Sequence, residues 1–170
     1  MWWNTAAFFV EHMTSDELIA DFPSSFVLTG HTFQAKDAFS SALPVPFAIG
    51  QVGLWTALCD PLCIITWREP MLAAFSRERR IFAFVSERLS HTYGFWYFVH
   101  GQLIRHVLFQ EEECVEAVGE VLPAEAQSGQ NLCIYDDASI LHIWESLTGL
   151  NQPQLAACSF QGLANDLYRS

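Results

Sequence analysis

Apolar and polar positions along this chain follow two rhythms, one of period two and one of period three to four. Three successive segments carry the first: RIFAFVSERL (80–89), YGFWYFVHG (93–101) and QLIRHVLFQ (102–110). They are rich in aromatic and β-branched residues and are separated by short polar or glycine-containing turns, which predicts a three-stranded meander. His100-Gly101 fits a two-residue hairpin loop, since glycine takes positive φ freely and histidine tolerates it better than most residues. Such a loop sets Val99 against Gln102, Phe98 against Leu103, Trp96 against Arg105 and Phe95 against His106. One face then holds Phe95, Tyr97, Val99, Ile104 and His106. The other holds Trp96, Phe98, Leu103, Arg105 and Val107. Both faces are largely apolar, so neither is simply solvated.

The helical rhythm is clearest in DDASILHIWESLTGL (136–150), where Ile140, Leu141, Trp144 and Leu147 form a stripe. Asp137 is placed to cap this helix and Gly149 to end it. TSDE (14–17) has capping-box spacing between Thr14 and Glu17, with Leu18, Ile19 and Phe22 as the apolar face and Pro23 as the stop. REPMLAAFS (68–76) predicts one or two helical turns with Pro70 at the start. The opening segment MWWNTAAFFVEHM is read as a helix capped by Asn4. Residues 25–30 and 31–36 are read as a short hairpin turning at Gly30 and His31. Residues 43–52, with two prolines and two glycines nearby, are read as a loop, followed by strands over 53–60 and 62–67 with Asp60-Pro61 as a turn. NLCIY (131–135) is a further strand candidate, and 153–168 a weak helix or irregular tail. The segment 111–130, with six glutamates, reads as an excursion at the sheet edge.

These elements predict an α+β fold, an antiparallel sheet built around the meander at about 80–110 with helices on one side and at the ends. At 170 residues the chain fits a single domain, with an N-terminal helical and hairpin part (1–50) and a sheet core with its C-terminal helix (53–150). Apolar residues make up 51%, and fourteen Phe and six Trp point to a core of large flat side chains.

Charge sharpens the picture. The net charge is −11, with nineteen acidic residues against eight basic ones. It is segregated: −5 over 1–67, +3 over 68–105 and −9 over 106–170. A field of that sign repels nucleic acid and anionic membrane surfaces and favours a basic partner. Solubility alone also accounts for such a charge. Arg77, Arg79 and Arg80 in SRERR suit a charged turn shielding a sheet edge, or a balance to Glu111–Glu113. Arg105 opposite Trp96 suits a cation–π contact.

Catalytic signatures are absent from the sequence. The six histidines are scattered, the five cysteines form no Cys-x-x-Cys pair, and no Gly-x-Ser-x-Gly or phosphate-binding glycine loop occurs. The glutamate run lacks the alternating oxygen ligands of a calcium loop. The expectation is a protein with no cofactor, no metal and no enzymatic activity. The N-terminal segment lacks a secretory n-region and no apolar run is long enough to span a bilayer, so the expected location is cytoplasmic.

GLWTALCDP, FS at 75–76, YGFWYFVHGQLIRHV, EAVGEVLPAE and IWESLTGL occur in this order. Together they resemble a group of small bacterial proteins, mostly of unassigned function, many of which look like immunity proteins of polymorphic toxin systems. The likeness covers about residues 53–150 and rests on Gly94, Gly101, Arg105, Gly119, Pro123 and Glu125. It implies a cytosolic binder that neutralises a cognate toxin without chemistry of its own. The acidic balance of 106–170 places the contact on Glu111, Glu112, Glu113, Glu116 and Glu120, with Asp136 and Asp137 as secondary candidates and a basic toxin as partner. The alternative is a small-ligand-binding or enzymatic domain with a pocket lined by Trp55, Trp67 and Trp96, on which His106, Arg105 or Tyr97 converge.

Overall fold

The computed structural model describes residues 3–126 and 136–165. Its centre is one nine-stranded sheet in which every neighbouring pair is antiparallel. The strands are β1 (Thr5–Glu11), β2 (Phe26–Gln34), β3 (Phe47–Val52), β4 (Trp55–Cys59), β5 (Arg80–Glu87), β6 (Thr92–Val99), β7 (Gln102–Gln110), β8 (Glu113–Val118) and β9 (Ser159–Asn165). Their order across the sheet is β2-β9-β3-β4-β1-β5-β6-β7-β8. The helices are α1 (Ser15–Asp21), α2 (Ala35–Ala38), α3 (Glu69–Phe75), α4 (Pro123–Ala126), α5 (Asp137–Thr148) and α6 (Gln152–Ala156). The α+β class and the 80–110 meander are as the sequence predicts.

Both sheet faces are covered. On the first, Ala7, Phe9, Phe82, Phe84, Phe95 and Val107 meet Ile140, Ile143 and Trp144 of α5, with Ala35 of α2, Ala124 of α4 and Leu155 of α6. On the second, Phe8, Val10, Ile81, Ala83, Trp96 and Phe98 meet Leu18 of α1 and Leu72 and Phe75 of α3. Burial on both sides explains why the central strands read as almost unbroken apolar runs rather than as alternation.

That same double burial corrects the opening segment. Residues 5–11 form not a helix but the central strand β1, flanked by β4 and β5. Consecutive Ala7, Phe8, Phe9 and Val10 are all buried because successive side chains enter opposite cores. Residues 25–36 are not a hairpin either. Residues 26–34 form one strand, β2, and Ala35 and Lys36 already belong to α2. The register of β2 against β9 breaks between Leu28 and Thr32, where Gly30 sits at φ 81°. The chain bulges there and continues.

Residues 43–52 are not all loop, because 47–52 form β3. Gly50 marks a close approach, since a Cβ there would meet the Phe160 ring of β9 at 2.8 Å. The expected strand over 62–67 is a set of turns wound round Asp60. That residue is wholly buried, and its carboxylate accepts from the backbone N–H groups of Ile64, Ile65 and Thr66 (2.7–2.9 Å) and from the Thr66 hydroxyl. The tail holds α6 and then β9, which inserts between β2 and β3. The candidate strand 131–135 lies outside the described residues.

Helix signals are followed closely. Thr14 and Glu17 form the expected capping box at α1, and Gly149 closes α5 in the left-handed region. The cap of α5 is Asp136 rather than Asp137, its carboxylate accepting from Ser139 N–H at 2.8 Å.

Candidate partner-binding edge

The His100-Gly101 loop forms as expected, both residues at positive φ. Val99 faces Gln102 and Phe98 faces Leu103, but Tyr97 then faces Arg105, leaving Ile104 as an extra residue on β7. This bulge shifts everything beyond it by one position and exchanges the faces of Arg105 and His106. Trp96 therefore does not meet Arg105. It stacks on His106, ring centroids 4.4 Å apart and planes 11° from parallel, while its indole N–H donates to Glu69 at 3.0 Å.

Arg105 points to the first face and is clamped there. Its guanidinium donates to the Glu125 carboxylate (2.9–3.3 Å) and to the carbonyls of Val118 (3.2 Å) and Gly119 (2.9 Å). Glu125 also accepts from Leu122 N–H at 2.7 Å. Gly119, at φ 80°, lies so close to the Ile104 carbonyl that a Cβ would collide with it. The clamp thus closes the excursion between the end of β8 and α4. Arg105, Gly119, Pro123 and Glu125, four residues that carry the resemblance noted above, belong to this one structural unit.

The excursion is strand β8, the last strand of the sheet, paired with β7 on one side. All six of its residues are exposed. Glu111 and Glu112 form the preceding turn, both at positive φ. Glu113 and Glu116 lie on β8, and Glu120 follows it, exposed. The Glu116 carboxylate stands 3.3 Å from His106 Nε2, whose Nδ1 approaches the Phe95 carbonyl at 3.0 Å. Val115, Val118 and Val121 are also exposed. Four of the five glutamates predicted as contacts thus lie on β8 and its turn, and Glu120 follows two residues past the strand.

Asp136 and Asp137 are engaged elsewhere. Asp136 caps α5, and Asp137 pairs with Arg88 at 2.8 Å. Arg80 does not balance the glutamate turn. It lies on the interior strand β5 and binds Glu11 and the Leu147 carbonyl while sitting over the Trp55 ring. That guanidinium holds the Glu11 carboxyl below the usual carboxylate range. Among the cysteines, Cys59 is buried, which pushes its thiol well up, and Cys114 on β8 is exposed.

Of the aromatic residues proposed for a pocket, Trp67 and Trp96 meet, with His106 stacked on Trp96, but Trp55 lies on the opposite face of the sheet. Trp55 belongs to the first-face core and donates to the Thr148 carbonyl, whereas Trp67 packs edge-on against Trp96 on the second. The hollows lie elsewhere. An open groove of about 410 Å³ is lined by Thr32, Phe33, Gln34, Asp37, Ser40 and neighbours. A smaller apolar one of about 210 Å³ lies between Phe22, Phe26, Ile65 and Met71.

Among the described residues, no helix is long and apolar enough to cross a membrane. Compared with protein-family models, curated proteins and solved structures, the chain matches none. The reading of function therefore rests on the edge itself.

Proposed function

We propose that this protein is a non-enzymatic acidic binder of the immunity type, neutralising a basic bacterial toxin by contact. The observation that carries this reading is the edge strand β8 with its turn. Four glutamates and two valines are exposed there together, with Glu120 and Val121 exposed just beyond, on a rigid nine-stranded support. Carboxylates at a sheet edge raise the rate of encounter with a cationic surface, and apolar side chains among them slow its departure. The framework beneath is stiff, because both faces of the sheet are packed with aromatic side chains.

Glu120 continues the acidic surface past β8, whereas Asp136 and Asp137, held in their cap and ion pair, contribute through charge rather than reach. Co-expression tests the reading. A toxin gene is expected beside this one; cells producing that toxin should survive when this chain is produced, and the two should co-purify. Continued toxicity with no complex would refute it.

A further inference from the structure

We infer that β8 receives an extended basic segment of its partner as a tenth strand, with cationic side chains at alternate positions set against Glu113 and Glu116. This inference rests on the acidic-binder reading and specifies how the partner docks.

The starting point is register. Gln110 faces Glu113 and Leu108 faces Glu116 across the β7–β8 ladder, with an irregularity between Leu108 and Phe109. Gln110 and Leu108 are two residues apart, so their side chains share a face of the sheet. Their partners share that face as well, although Glu113 and Glu116 are three apart, because Val115 is the extra residue of a bulge. Val118, opposite His106, continues the same face. The edge therefore presents Glu113, Glu116 and Val118 in one row, at the repeat that an added strand has.

The far side of β8 has no strand against it among the described residues. Its outward backbone groups are a template for main-chain hydrogen bonds, the means by which extended peptides add to sheet edges. Charge decides the occupant. A second copy pairing edge to edge would set glutamates against glutamates, and like charges across strands oppose pairing. A segment with arginine or lysine at every second position meets the row with opposite charge.

The other edge of the sheet does not compete. β2 carries no charged residue to set against a basic segment.

The test uses the full chain and three labelled hexapeptides of equal charge: alternating Arg-Val, three Arg followed by three Val, and the alternating peptide N-methylated at every backbone nitrogen. Fluorescence anisotropy should show the alternating peptide binding at least about tenfold more tightly than either control. Hydrogen exchange should slow at the outward amides of 113–118, and E113Q/E116Q should weaken binding. Equal binding of the N-methylated peptide, or unchanged exchange on β8, overturns strand addition. So does concentration-dependent protection of β8 without peptide, which would assign the edge to a second copy. The underlying reading fails separately, if charge reversal at Glu111–Glu113 leaves association with the full-length partner unchanged.

Discussion

Arg105 and Glu125 form a buried ion pair across the gap between β7 and α4. Nη2 lies 2.9 Å from Oε1 and Nε 3.0 Å from Oε2, with the side chains 6% and 0% exposed. The guanidinium is further held through Nη1, which donates to the carbonyls of Val118 and Gly119. The pair holds the acidic strand to the body of the sheet, and so ties the candidate site to the core.

Removing one member strands the other in a dry environment. Arg105→Ala or Glu125→Gln should cost about 3–5 kcal/mol. For a chain of this size that lowers Tm by roughly 10 °C, at about 2–4 °C per kcal/mol. Thermal melts followed by circular dichroism measure it. A loss under about 1 kcal/mol in both variants would show that the clamp is not a stabilising contact.

Asp60 carries the loop between β4 and α3 on a single buried carboxylate. Asp60→Ala leaves three backbone N–H groups without their acceptor, and an unsatisfied buried donor costs about 1–3 kcal/mol. A loss of about 3 kcal/mol or more is expected from urea midpoints at neutral pH. Asp60→Asn keeps an acceptor oxygen but loses the charge, and should fall between the two.

The Glu11–Arg80 pair sets a pH dependence. Hydrogen bonding to Arg80 lowers the Glu11 value in the folded state below its unfolded value of about 4.3. Its contribution is therefore present above the unfolded value and is lost as pH falls through the lowered folded value. The stability difference between the wild type and Glu11→Gln should be constant near pH 6–7 and shrink toward pH 3. Denaturant titrations across that range check it, and a difference that grows on acidification would contradict the pairing.

Charge reversal of Glu111, Glu112 and Glu113 to lysine should leave folding nearly untouched, because none of these side chains is buried. Association with a basic partner should slow by about tenfold or more and lose most of its salt dependence, as expected for steering by an exposed field. Stopped-flow or surface-binding rates at two ionic strengths measure both effects.

The sequence by itself determined the elements whose signals are local. The capping box at Thr14 and Glu17, the glycine stop at Gly149, the His100-Gly101 loop and the meander around it all depend on residues within a few positions of one another. It also placed the acidic excursion at a sheet edge, because charge so dense is compatible only with solvent. Only the tertiary structure decided the rest. β1 is a strand because β4 and β5 flank it and two cores receive its side chains, a context that an apolar run cannot announce. β9 reaches its place between β2 and β3 from the far end of the chain. One extra residue at Ile104 turns Arg105 away from Trp96 and toward Glu125, and another at Val115 lines up Glu113 with Glu116. A bulge is a property of the ladder between two strands, so neither strand read alone contains it, and the face each side chain takes follows from pairing rather than from composition.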